Sequence, residues 1–211
     1  MAVDRQTFAP AQRSKEIGDQ PVHALATTDT LLARCVAGDG GAWRELHLAL
    51  YPAAAAFLRQ MGVGPEDLDD AAQDVFLQMF RFLPQFEGRA ELKTWVYKIC
   101  LSQASRMRRK RTIRRTLERL LGTAAPLPVS NVDGDWGGWE ARREMEQALG
   151  KMSLPQRMVF VLYELHGLPG DQIARVVGCP AATVRGRLRE ARRIFSRTLA
   201  ETAGRQNEET P

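Results

Sequence analysis

Apolar residues recur along this chain at three- and four-residue steps from about residue 28, with no sustained two-residue alternation. That period is the mark of amphipathic helices. Leu31, Leu32, Cys35 and Val36 form a first stripe, with Thr28 or Asp29 placed to cap it and Gly38-Asp39-Gly40-Gly41 to end it. Trp43, Leu46, Leu50, Ala54 and Phe57 make a second, in which Pro52 marks either a kink or a start. After a break at Gly62 to Pro65, a third helix over 69–83 puts Val75, Phe76, Met79, Phe80 and Leu83 on one side. Pro84 to Arg89 reads as a turn, and 92–111 as a long helix burying Trp95, Val96, Ile99, Cys100 and Ala104. A further helix is expected over 139–149, and Ser153-Leu154-Pro155 is a cap and first turn for one carrying Val159, Phe160, Leu162 and Tyr163 up to His166-Gly167.

The most specific pattern lies at Asp171 to Arg193, DQIARVVGCPAATVRGRLREARR. Ile173, Val176 and Val177 form the apolar face of a short helix, with small Ala174 beside them to allow a close crossing. Gly178-Cys179-Pro180 breaks the period. Val184, Leu188, Ala191 and Phe195 then recur at helical spacing, so the pair reads as a helix-turn-helix. Opposite that stripe stand Ala182, Gly186, Arg189 and Arg193, with Arg185 and Arg192 on one flank and Arg187 on the other; Thr183 belongs to the same exposed group. Arginine forks suit both guanine edges and phosphates. Gly186 is the odd member, since glycine in an exposed helix interior costs about 1 kcal/mol. A close approach of backbone to DNA would explain it, and so would simple tolerance. The plainer reading of the whole face is a solvated basic surface on an ordinary helix.

The pattern as a whole implies an all-α chain of two small helical domains joined by a flexible linker, the second a helix-turn-helix. The expected divisions are a tail at 1–26, a domain at 27–115, a linker at 116–138, a domain at 139–200 and a tail at 201–211. The linker carries GTAAPLPVSNVDGDWGG, which mixes Gly, Pro, Ser, Asn and Asp and holds no helical period.

Charge sharpens this picture. The 211 residues carry a formal net charge of +5, which favours a polyanionic partner, and the charges are segregated. Arg106, Arg108, Arg109, Lys110, Arg111, Arg114 and Arg115 fall close together with no acid among them. Like charges at helical spacing repel unless something negative, such as phosphate, neutralises them. Phe86, Trp95 and Tyr97 lie just upstream as stacking surfaces for unpaired bases. For Trp95 a core role is at least as good a reading; Tyr97 and Phe86 stay open. Glu66, Asp67, Asp69, Asp70 and Asp74 form an acidic patch that either caps its helix or, with Gln73, Gln78 and the exposed part of the apolar face, docks a protein.

Enzyme signals are missing. His23, His47 and His166 stand alone, no HExxH, zinc spacing, Walker A run or GxGxxG occurs, and no cofactor or metal is expected. Cys35, Cys100 and Cys179 are odd in number and far apart, which suggests a reducing compartment. The opening MAVDRQTFAP lacks the apolar run of a signal peptide, and MVFVLY at 158–163 is too short to span a bilayer. A soluble, cytoplasmic protein without membrane insertion is expected.

In order and spacing these features resemble a bacterial RNA polymerase sigma factor of the extracytoplasmic-function (ECF) group. The likeness rests on AGDGGAWRELHLALYP at 37–52, DLDDAAQDVFLQMFRFLPQFEG at 67–88, LKTWVYKIC at 92–100 followed by the arginine cluster, and LPQRMVFVLYELHGLPGDQIARVVGCPAATVRGRLREARR at 154–193. The resemblance implies that 28–115 is region 2, in which Asp69, Asp70, Gln73, Asp74, Phe76 and Leu77 bind core RNA polymerase at the β′ clamp helices. It also implies contact with the β subunit. Phe86, Trp95, Tyr97, Arg106, Arg108, Arg109, Lys110 and Arg111 would open and read the downstream (minus-10) promoter element by capturing a flipped base. Ala182, Thr183, Arg185, Gly186, Arg187, Arg189, Arg192 and Arg193, in region 4, would read the upstream (minus-35) element. The linker would thread near the polymerase active-site channel, and an anti-sigma factor is an expected regulator. The chain departs from the usual pattern at Ser102, where the family commonly has Asn, at Arg106, commonly Asp, and at Gly186, often Ser or another polar residue.

The rival to a sigma factor is a stand-alone helix-turn-helix regulator, which would bind duplex operators by itself. A third reading is a protein-interaction module whose arginines serve solubility or docking.

Overall fold

The computed structural model describes residues 24–88, 91–121 and 139–208. The tail before residue 24 and the stretch 122–138 assigned to the linker lie outside them. The described residues are helical: α1 Ala24–Val36, α2 Gly40–Gln60, α3 Pro65–Phe82, α4 Leu92–Leu120, α5 Trp139–Lys151, α6 Leu154–Phe160, α7 Gly170–Val177 and α8 Ala181–Glu208. A single 3-10 turn, Leu83–Gln85, follows α3, and a π turn, Val161–Leu165, follows α6.

By compactness the chain divides at Leu46/His47, inside α2. In the first unit α1 begins at Ala24, so Thr28 and Asp29 lie within the helix and do not cap it. Gly38, at φ 87°, ends the connection. Asp39, not the glycine run, starts α2: its Oδ1 accepts the backbone N–H groups of Gly41 (2.8 Å) and Ala42 (3.1 Å), two of the donors a helix start leaves orphaned. Arg34 grips the other oxygen of that carboxylate at 2.6 Å, and this hydrogen bond holds the Asp39 carboxyl below the usual range.

In the second unit α2 runs on through Pro52 without a break. Pro52 is exposed, so the backbone acceptor it leaves unpaired can meet water. α3 begins four residues earlier than its apolar stripe suggests, with Pro65 in the first position, where a missing N–H does no harm. α4 continues past Arg111 to Leu120, through residues assigned to the linker. Arginine is a good helix former, and Arg114 pairs with Glu118 at 2.9 Å one turn on.

Phe57 and Leu58 of α2, Val75 and Met79 of α3, and Val96, Tyr97 and Cys100 of α4 bury their side chains in one core region. Val159 to Leu162, Ile173, Val184, Leu188 and Ala191 form the core of the C-terminal helices. Four consecutive buried residues exceed what one face of an α-helix can cover, and there the chain widens into the π turn, where His166 N–H bonds back to Val161 O at 3.1 Å. At the start of α6, Gln156 Oε1 accepts from Ser153 N–H (2.9 Å) and from its hydroxyl (2.7 Å).

No described helix is long and apolar enough to cross a membrane. The cytoplasmic assignment is corrected to that statement, because helix length and hydropathy name no compartment.

Candidate nucleic-acid and partner interfaces

The helix-turn-helix is built as its apolar pattern requires. Gly178 closes α7 in the left-handed conformation, φ 72° and ψ 41°, and its N–H bonds to Ala174 O at 2.9 Å. A side chain there would be strained by the backbone alone, since a Cβ would meet nothing within 4 Å. Val184, Leu188, Ala191 and Ile194 of α8 are buried, while Phe195 lies half-buried against Phe160 with ring centroids 5.2 Å apart. Ile194 thus takes the buried place that the spacing gave to Phe195.

The outer face of α8 resolves into two groups. Ala182, Arg185, Gly186 and Arg189 are exposed, and neither arginine has a partner among the described residues. Gly186 has open space where a side chain would stand. The other basic residues are engaged within the protein. Arg192 bonds Glu164 at 2.6 Å and lies over the Tyr163 ring at 5.2 Å; Arg193 bonds Glu190 at 2.6 Å; Arg187 reaches the Cys179 sulfur at 3.5 Å. Thr183 is half-buried.

On α3, Asp70 and Gln73 are exposed, and Asp69 accepts the Tyr51 hydroxyl at 2.9 Å. Asp74 accepts from Gln103 at 2.7 Å and from Arg106 at 2.5 Å, so it ties α3 to α4. Phe76 is half-buried against His47, centroids 4.3 Å apart. Leu77 is exposed, and so are Phe80 at 60% and Phe82 at 42%. Phe80, one turn on from Leu77, shares its side of α3, whereas helical spacing puts Phe80 on the buried side.

The two aromatic residues of α4 differ in burial. Trp95 and Phe86 are half-buried neighbours, ring centroids 5.2 Å apart, and retain exposed surface. Tyr97 is fully buried, which corrects its reading as a stacking surface for bases in this arrangement. Arg106, Arg108, Arg109 and Lys110 are exposed along α4, and Arg111 is half-buried.

Tyr97 is buried because helices from the C-terminal half cover it. Its hydroxyl lies 2.7 Å from His166 Nδ1, and His166 Nε2 lies 2.7 Å from Gln60 Oε1. Gln60 Oε1 can only accept, so Nε2 carries the proton and Nδ1 accepts from Tyr97. Phe57 packs on both rings, with centroids 4.7 Å from Tyr97 and 5.3 Å from His166. Burial, then the nearby Lys93 charge, lowers the His166 pKa to about 4, while burial raises that of Tyr97. Two further polar contacts complete this seam: Arg157 Nε donates to Gln60 O at 2.5 Å, and Thr94 Oγ1 to Gln172 Oε1 at 3.3 Å. His166 stands alone in the sequence, and no local motif marks Gln60, Arg157 or Gln172 as its neighbours at this seam.

Two family descriptions match the chain, "Sigma-70 region 2" over residues 46–114 and "Sigma-70, region 4" over 142–194. Among curated relatives, the RNA polymerase sigma factor NccH of Alcaligenes xylosoxydans xylosoxydans is 28% identical over 78% of this chain and 90% of its own length. The ECF RNA polymerase sigma-E factor of Escherichia coli K12 is 28% identical over 79% of this chain and 91% of its own. Among solved structures, the sigma factor RpoE of Bartonella quintana, in complex with the anti-sigma factor NepR, matches with TM-score 0.65 and 22% identity over 74% of this chain and 96% of that one. CnrH, in complex with the cytosolic domain of CnrY, matches with TM-score 0.58 and 25% identity over 82% of this chain and 96% of that one.

Proposed function

The chain belongs to the sigma-70 family of RNA polymerase sigma factors, in its ECF group, and from that premise we propose how its residues divide the work of promoter recognition. As a sigma factor it directs polymerase to promoters and is not itself an enzyme. Residues 27–115 and 139–200 act as two promoter-reading domains. In the first, Leu77 and Phe80, flanked by Asp70 and Gln73, dock core polymerase at the β′ clamp helices. Asp69, Asp74 and Phe76 hold this surface in place through Tyr51, Arg106 and His47. An exposed apolar patch rimmed by polar groups suits such docking.

In the second domain Arg185 and Arg189 read base edges of the upstream element, with Ala182 and Gly186 permitting close approach of α8. The observation that carries this assignment is that these two arginines are exposed and have no partner among the described residues, while Arg187, Arg192 and Arg193 are engaged elsewhere. Arg192 and Arg193 can still reach phosphates once DNA competes for them. Phe86 and Trp95, with Arg106, Arg108, Arg109, Lys110 and Arg111, serve the downstream element. Tyr97 joins them only when the seam around His166 parts. The β subunit is a second polymerase contact. The NepR complex of the Bartonella quintana protein supports an anti-sigma factor as regulator here too.

Run-off transcription from a cognate promoter with purified core polymerase tests this reading. Transcripts are expected only when core and this protein are combined. A protein that grips duplex promoter DNA by itself and yields no transcript with core would be a stand-alone regulator.

A further inference from the structure

A cavity of about 260 Å3 lies between the Gly62–Gly64 loop, the α4 face that carries Arg108 and Arg111, and Arg157 of α6. Arg157 is fixed there by its Nε bond to Gln60 O, 2.5 Å long. The rest of its guanidinium passes over Gly62, where a Cβ would stand 3.0 Å from Nη1. Gly62 is suited to that place twice, by its φ of +90° and by its lack of a side chain.

The charges around this cavity are unbalanced. Arg108, Arg111 and Arg157 have no ion-pair partner among the described residues. Burial, then the charge of Arg108, lowers the Arg157 pKa to about 10, opposed only in part by Glu146. Two acids stand at the other wall. Asp67 lines the cavity, and the Glu66 carboxylate folds against Gly64. Neither lies within ion-pair reach of the three guanidinium groups. Cations held together in a partly desolvated space repel strongly unless a counter-charge joins them.

We infer that this cavity binds a compact multivalent oxyanion of the phosphate or diphosphate class, carried by a free small molecule. Guanidinium groups match such oxygens with paired, charge-assisted hydrogen bonds. A compact group fits better than a nucleic-acid backbone, because the three arginines line one recess and Arg157, half-buried, is pinned within it by Gln60 O. Arg108 and Arg111 belong to α4 and Arg157 to α6, so the ligand fastens the two across the seam and stabilises their contact by mass action. Arg108 and Arg111 are also assigned to the downstream promoter element, but the binding test needs neither polymerase nor promoter, so failure of the anion site and failure of that assignment are read separately.

Isothermal titration of the full chain with inorganic pyrophosphate, at fixed ionic strength, tests it. One saturable site is expected. Arg111→Gln and Arg157→Gln should each weaken binding by roughly tenfold, the loss of one hydrogen bond to a charged group. Arg175→Gln, exposed on α7 away from the cavity, should leave binding unchanged. Arg157→Gln also removes the bond to Gln60 and can fail to fold, so Arg111→Gln, which breaks no hydrogen bond or ion pair among the described residues, decides. Heat that never saturates, or equal weakening by Arg175→Gln, would mean diffuse attraction and overturn the site. A short oligothymidylate that binds through Arg111 where pyrophosphate does not would overturn it in favour of a nucleic-acid groove.

Discussion

Acidification should weaken this protein through His166 in particular. Its pKa falls from 6.5 to about 4 because the ring is enclosed by Phe57 and Tyr97 and lies near Lys93. A histidine with a lowered folded-state pKa is buried neutral, so its contribution is complete above the unfolded value. It is lost as pH falls from about 6.5 towards 4, where the unfolded chain binds the proton and the folded one resists it. Linkage between these two values gives a loss of about 2 kcal/mol on going from about pH 7.5 to pH 5. The exposed carboxylates with lowered pKa values, Asp39 and Glu190, lose their contributions at lower pH and add little in this window. Urea unfolding at the two pH values, on wild type and His166→Phe, isolates the effect. The variant should be less stable at pH 7.5, because Tyr97 and Gln60 lose their shared partner, at about 1–3 kcal/mol per unsatisfied group. It should also lose most of the pH dependence. Equal pH dependence in the two proteins would refute the claim that His166 is held neutral at the seam.

Four other outcomes follow from named contacts. Arg185→Ala and Arg189→Ala should each weaken promoter binding by the holoenzyme by about 1–3 kcal/mol, if each makes a two-pronged base contact; the loss should vanish on a promoter whose upstream element is scrambled. Leu77→Asp should reduce affinity for core polymerase, measured by fluorescence anisotropy, and leave the melting temperature unchanged, since its side chain is exposed. Arg106→Ala should lower stability in urea by less than about 1 kcal/mol, because its pair with Asp74 is half exposed on both sides. Gly178→Ala should lower it by about 1–2 kcal/mol, a purely backbone effect of the left-handed conformation.

The parts of the fold legible in the sequence are those that local period and turn chemistry determine. Ile173, Val176, Val184 and Leu188 were readable as a packed helix pair because each faces its neighbour a few residues away, and Gly178 marks the turn between them. Helix ends were less legible. α4 outran its expected end because like-charged arginines discourage a helix less than their good propensity and the Arg114–Glu118 pair favour it.

The seam was not legible. Trp95 and Tyr97 lie two positions apart on one helix, and period alone cannot say which will meet a second group of helices. The answer depends on His166, 69 residues away from Tyr97 and 106 from Gln60. Phe80 shows the same limit in reverse, since its spacing fits the buried side of α3 while its side chain is 60% exposed. The candidate reading face is legible in the sequence, but the ion pairs of Arg192 and Arg193 and the contact of Arg187 with Cys179, which separate those residues from it, are not.

The proposed function requires that α8 read a promoter as part of polymerase and not by itself. Footprinting of one cognate promoter fragment with this protein alone, with core polymerase alone and with both tests it most directly. Protection of both the upstream and downstream elements is expected only in the third sample, with the upstream footprint lost in the combined Arg185→Ala, Arg189→Ala variant. An upstream footprint of equal strength from the protein alone, or one untouched by that double substitution, would contradict it.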